Sequence, residues 1–224
     1  MKSQVFPKNS IIILYLLSSY SVFLFSQDEI LKYTREDGLF ETITALWLLV
    51  SSIVYFITFF RDKNGNALLF IRTNKNFFFL LLAVMFFFGF GEEISWGQRI
   101  FKWQSLDWFN QYNNQKETNI HNLAIFQRIL NFEHLSTYFW VTYCLIIPFV
   151  YKKSLAFAAW SDKINLPIIP IRLGTFFLLN YVIFIILKLS FRHSLQHSVV
   201  EVKESCLGFL FMISSIGFLL NGKR

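Results

Sequence analysis

From Phe77 to Phe90 fourteen consecutive residues carry no polar side chain, and the run then closes on two adjacent carboxylates, Glu92 and Glu93. Such a run restricts the solvent before it restricts the fold. A helix needs about 20 apolar residues to cross a hydrocarbon core of ~30 Å, and it satisfies its own backbone hydrogen bonds on the way. A barrel would need alternating strands of about 10 residues, which Phe77-Phe78-Phe79-Leu80-Leu81-Leu82 does not offer. Comparable apolar segments cover residues 11–26, 39–60, 77–96, 137–151, 174–189 and 199–220. With 54% hydrophobic, 20% aromatic and only 16% charged residues, the composition lies outside that of soluble domains. The expectation is an all-α, polytopic membrane bundle: one integral domain over 1–224, about six transmembrane helices, and an interfacial amphipathic helix.

Charge supports an alternating topology. If both termini and the even loops share one side, that side carries twelve Lys and Arg against two acidic residues, while the opposite side has nine against twelve. The positive-inside rule makes the first side cytoplasmic. Lys2 and Lys8 precede the first apolar run and no A-x-A-like cleavage site follows it, so a retained anchor is expected. The net charge of +7 is spread over short loops rather than gathered on an arm. It therefore suits lipid headgroups and not nucleic acid. Cys144 and Cys206 fall inside predicted spans, where neither a disulfide nor a thiolate ligand is expected.

The outer side is chemically distinct, because it holds His121, His134, His193 and His197 together with twelve of the fourteen carboxylates. Glu92 and Glu93 are the most costly of these. A carboxylate at the centre of a membrane helix costs about 2.5–3.5 kcal/mol on insertion scales, so an intramembrane Glu is read as functional by default. Glu92 comes 16 residues after Asn76, or about 24 Å along a helix, just short of the far interface. Gly89 and Gly91 before it permit close helix approach or a break, and Arg99 is near enough to neutralise one carboxylate.

Three further groups complete the candidate set. Glu41, one turn inside the second helix, serves either the helix macrodipole or a site. From 117 to 132 the pattern is amphipathic, with Glu117, His121 and Arg128 within about 40° of one another on a helix, which predicts an in-plane interfacial helix. In the connection before the sixth helix, His193, His197, Glu201 and Glu204 form one stripe if helical, with the i, i+4 histidine spacing of a metal site. Ser198-x-x-Glu201 reads equally as a capping box that would leave both histidines in a turn.

Arg35-Glu36-Asp37-Gly38-x-x-Glu41, Glu92-Glu93-Ile94-Ser95-Trp96-Gly97-Gln98-Arg99 and Asn114-x-x-Glu117-x-Asn119-x-His121-Asn122 together resemble a family of bacterial multi-pass membrane proteins to which no reaction is assigned. The resemblance covers residues 35–122 and implies a bacterial inner-membrane protein. CAAX-type intramembrane proteases are similar in Glu-Glu-x-x-x-Arg followed by histidine motifs, although Arg99 here follows after five residues rather than three. That similarity implies water activation by Glu92, Glu93 and His121. The alkaline ceramidase superfamily is similar in its late His-x-x-x-His, matched by His193 and His197.

These readings converge on a membrane-embedded hydrolase. Several carboxylates in one low-dielectric site require a proton or a cation among them. A divalent ion such as zinc would lower the pKa of bound water towards about 7. The catalytic set is Glu92, Glu93, Arg99 and His121, the metal set His193, His197, Glu201 and Glu204, and the supporting pair Glu41 and Glu117. The expected partners are membrane lipid and a lipid-linked or peptide substrate at the outer face. The alternatives are a metal-free CAAX-like peptidase, a proton-coupled transporter and a non-catalytic structural membrane protein.

Overall fold

The structure, a computed structural model, describes residues 6–63, 65, 67–68, 71–72, 74–105, 107–113, 118–120, 132–191 and 195–221. Helix α1 (Asn9–Tyr20) runs on through a 3-10 turn (Ser21–Leu24) into α2 (Gln27–Thr34) and α3 (Leu39–Arg61). A two-residue antiparallel pair, β1 (Ala67–Leu68) with β2 (Ile71–Arg72), precedes α4 (Phe77–Glu93). The short helices α5 (Gln98–Phe101) and α6 (Asp107–Tyr112) follow. Next come α7 (Phe132–Val141), a π-helical stretch (Thr142–Ile146), α8 (Ile147–Lys153), α9 (Leu155–Lys163), α10 (Ile171–Ser190) and α11 (Gln196–Asn221).

Helix α11 is the axis of the bundle, because its small residues admit neighbours closely on several sides. A Cβ added at Gly208 would lie 3.2 Å from the Trp47 Cβ on α3, and one at Gly217 would overlap the Phe6 ring. Ser198, Ser205, Cys206, Ser214 and Ser215 are all buried. Ring contacts give the helix directions. Phe86 meets Phe211 at 4.9 Å and Phe79 meets Phe218 at 5.6 Å, so α4 is antiparallel to α11. Helix α3 is parallel to it, from the Thr34–Ser198 hydrogen bond before one end to Tyr55 and Phe218 at the other. Tyr15 with Ser205 and Phe6 with Phe218 make α1 antiparallel. One end of the bundle thus gathers the C-termini of α1, α4 and α10 with the N-termini of α2 and α11.

Polarity is inverted relative to a water-soluble bundle. Leu14, Leu17, Leu81, Val84, Leu178 and Ile186 are exposed, whereas Ser51, Thr58, Asn180 and Ser205 are buried. Four interior hydroxyls are satisfied locally: Thr44, Ser51, Thr58 and Ser214 each donate to the carbonyl four residues back. Between helices, Trp47 Nε1 donates to the Tyr15 hydroxyl at 2.8 Å, and that hydroxyl is hydrogen-bonded to Ser205 Oγ at 2.7 Å. An apolar surface over a satisfied polar seam is the arrangement that lipid, rather than water, stabilises.

All six predicted segments are helical, but their lengths differ from expectation. Three stretches are long and apolar enough to cross a membrane: Gln27–Arg61, Ile171–Ser190 and Gln196–Asn221. His134–Lys153 joins them only when paired with Leu155–Lys163 across a 116° bend. Helix α4 has 17 residues, about 25 Å of rise. It stops at Glu93 instead of continuing to 96, because the chain turns left-handed there. Residues 27–34, between the first two apolar segments, are helical. Ser26 and Glu29 form a complete capping box, and Ile30 and Thr34 are buried beneath it. Of the expected interfacial helix at 117–132, residues 118–120 are not helical. Their backbone is held by the α4 turn, and the rest, apart from Phe132, lies outside the described residues.

Candidate functional site

The motif after α4 builds a turn that captures a distant segment. Ile94 N closes the helix on Phe90 O at 3.2 Å. Ser95, Trp96 and Gly97 then all adopt positive φ, at 48°, 52° and 86°. Only glycine occupies that region freely, and the two others cost about 1–2 kcal/mol each. Their side chains provide the compensation. Trp96 Nε1 donates to Glu92 Oε1 at 2.7 Å. Its ring folds over Gly91, where an added Cβ would come within 2.9 Å of the indole, and Phe88 packs on it edge-on. The second oxygen of Glu92 accepts from Ile120 N at 2.7 Å.

Two residues along the captured segment, Thr118 N donates to Gln98 Oε1 at 2.6 Å, and Ser105 Oγ donates to the same oxygen at 2.9 Å. Between them the fully buried Asn119 donates to Ser95 Oγ at 3.2 Å and accepts from Asn113 Nδ2 at both its backbone and side-chain oxygens. The two motifs meet through Glu92, Ser95 and Gln98 on one side and Thr118, Asn119 and Ile120 on the other. Glu92 is buried, and both of its oxygens serve as acceptors in this clamp. Glu93 points about 100° away and is half-buried.

Glu41 is likewise built into a turn. Its Oε2 accepts from Asp37 N at 2.6 Å, fixing the left-handed Asp37 before α3. Gly38 is required there, because a Cβ would lie 2.5 Å from Arg35 O. At the start of α11 the two alternatives for the sixth helix resolve. The helix already runs from Gln196, so His197, Glu201 and Glu204 form a stripe, while Ser198 is buried and accepts from Thr34 instead of capping. His197 Nε2 stands 3.7 Å from Glu201 Oε1, the imidazole 63% exposed and the carboxylate 14%.

Lys203 was missed by sequence reasoning. Its side chain is buried, 3.5 Å from Glu204 Oε1, and its Nζ lies 4.6 Å from the centre of the Phe184 ring. The signal was the one used for Glu92, an ionisable residue inside an apolar run. Asn180 was missed too; it accepts from the Tyr20 hydroxyl at 2.6 Å and donates to Lys203 O at 3.1 Å, joining three helices.

Helix register places these groups along the axis. Continuing the antiparallel pairing of α4 on α11 sets Glu92 level with Ser205 and Glu93 level with Glu204. The parallel pairing through Thr34–Ser198 and Thr44–Gly208 sets Glu41 level with the same turn. Glu41, Glu92, Glu93, Glu201 and Glu204 therefore occupy one layer at one end of the bundle. The Arg99 side chain, Glu117, His121 and His193 lie outside the described residues. Among the described residues no three His, Cys, Asp or Glu side chains group closely enough to hold a metal ion.

Fold and site together define a class, an apolar-surfaced helical bundle with an acidic and imidazole-bearing layer at one end. Comparison with protein-family models, with curated proteins and with solved structures finds no match to the chain.

Proposed function

We propose that this is a six-pass protein of the bacterial inner membrane, with both termini cytoplasmic, and that its acidic layer is an extracytoplasmic hydrolytic site for a lipid or lipid-linked substrate. The observation that carries the reading is the His197–Glu201 pair, on the turns of α11 that precede Glu204 and at the same end of the bundle as Glu93. A carboxylate this close would stabilise the imidazolium formed as His197 takes a proton from water, the role of a general base. Glu93, level with Glu204, is the companion acid, and Glu92 positions the 118–120 segment at the edge of the site. An amphiphilic substrate suits this layer, since it reaches the site laterally from lipid with its scissile polar group at the interface.

In the metal-assisted form His193, His197, Glu201 and Glu204 would hold a zinc ion, which would supply a bound water of lowered pKa. In the CAAX-like form Glu92, Glu93 and His121 would activate water without metal, and activity on a prenylated peptide would survive chelators. The test is turnover of fluorogenic phospholipids, lipid esters and prenylated peptides by the full chain in nanodiscs. His197→Gln or Glu201→Gln should lower the rate about 10²–10⁴-fold, the usual contribution of a general base, with the melting temperature unchanged. Absence of turnover of every probe by the wild-type chain, or full activity in both variants, would overturn the hydrolase reading.

A further inference from the structure

The opposite end of the bundle carries a helix that is apolar on the wrong side for water. Helix α8 ends where Ser154 N bonds Val150 O at 2.8 Å. Ser154 then takes an extended conformation and caps α9 by accepting from Phe157 N at 3.2 Å. This one residue turns the chain by 116°. On α9, Ser161 faces the protein and is buried, while Leu155 is 91% exposed and Trp160 52% exposed, with Ala156 and Ala159 beside them.

Its other side is anchored. The Tyr151 hydroxyl donates to Asp162 Oδ1 at 2.8 Å, and Asn76 Nδ2 donates to Asn165 O at 2.7 Å, tying the end of α9 to α8 and to the start of α4. Exposed cations flank this apolar face: Lys152 and Lys153 just before it, Lys163 at its last turn and Arg172 on α10. The nearby carboxylate, Asp162, already accepts from Tyr151.

We propose that α9 is an in-plane anchor seated on anionic phospholipid, with Leu155 and Trp160 among the upper acyl chains and Lys152, Lys153 and Lys163 at the phosphates. Geometry separates this from the second half of a broken span. A 116° turn leaves α9 about 26° from perpendicular to α8. Nine residues make a helix of about 13.5 Å, so its far end is displaced only about 6 Å along the bundle axis. That matches the ~5–10 Å burial of interfacial helices and falls far short of a ~30 Å core. Cations on either side of an apolar face complement an anionic headgroup layer, an attraction that salt screens.

The inference rests on the membrane reading, and one experiment tells the two apart. Nitroxides on Leu155→Cys, Trp160→Cys and, as control, the mid-helix Leu81→Cys are read in nanodiscs for oxygen and nickel-chelate accessibility. The native cysteines, Cys144 and Cys206, are buried. The expected result is labels at 155 and 160 about 5–10 Å below the phosphates, with the label at 81 deep. A water-exposed label at 81 would sink the membrane reading itself. A deep label at 81 with 155 and 160 in water, or with 160 at the bilayer centre, would overturn the anchor alone. Phosphatidylglycerol should raise the melting temperature of the wild-type chain, and that gain should vanish in the K152Q/K153Q/K163Q variant; an equal gain in both would remove the headgroup part of the proposal.

Discussion

At the scale of single residues, Glu92 does two things at once: it stabilises a left-handed Trp96 and it holds the Ile120 amide. Glu92→Gln leaves only one acceptor oxygen for two donors, so one part-buried N–H loses its partner. The expected cost is about 1–3 kcal/mol, measured as a lower melting temperature in detergent. A double-mutant cycle with Trp96→Phe should return a coupling of about 1.5–3 kcal/mol, the range for hydrogen bonds to charged groups; zero coupling would mean that the indole and carboxylate do not sustain each other. That Glu92 stands out was legible in the sequence from its cost inside an apolar run. Its partner was not, because Ile120 contributes a backbone amide 28 residues away and Ser-Trp-Gly carries no propensity for consecutive positive φ. Lys203 was equally legible by cost and was passed over because it sits near Glu201 and Glu204, where charge was already expected.

At the scale of elements, helix existence followed from hydropathy, and helix ends followed only where capping chemistry was read. The Ser26–Glu29 box starts α2 in a stretch whose polarity suggested a loop; polarity there reflects a helix packed on one face alone, through Ile30 and Thr34. The same box pattern at Ser198–Glu201 caps nothing, because Ser198 is buried against Thr34 within a continuous helix. Local pattern and tertiary contact competed at both places, and burial decided each. The packing of α1, α3 and α11 rests on the Trp47–Tyr15–Ser205 seam. Tyr15→Phe strands the Trp47 N–H in that seam. Interhelical hydrogen bonds within membranes average about 0.6 kcal/mol and reach about 1.7, so a loss of that size is expected in a denaturant titration of the full chain. A loss below it would indicate that Trp47 finds another acceptor on α11.

At the scale of the whole molecule, the chain separates its chemistry by end. Helices α1, α3, α4, α10 and α11 alternate in direction, which puts Glu41, Glu92, Glu93, His197, Glu201 and Glu204 towards one end and Arg61, Lys152, Lys153, Lys163 and Arg172 towards the other. Each apolar segment reverses the chain once, which divides the described charges between the two ends. Span lengths were not recoverable from sequence. Where α4 stops depends on the Trp96 turn, and where α8 stops depends on the Ser154 bend; both are made by contacts rather than by a change in hydropathy. The partition makes a direct prediction about sidedness. His197 is exposed at the acidic end and Lys163 at the basic end, and a Lys/Arg excess is retained on the cytoplasmic face. In intact bacterial cells expressing single-cysteine variants, a membrane-impermeant maleimide should label His197→Cys at once and Lys163→Cys only after permeabilisation. The reverse pattern would put the acidic layer in the cytoplasm and exclude an extracytoplasmic substrate. Equal labelling of both in intact cells would mean that the two ends do not lie on opposite sides of a bilayer, and the six-pass arrangement would fall with it.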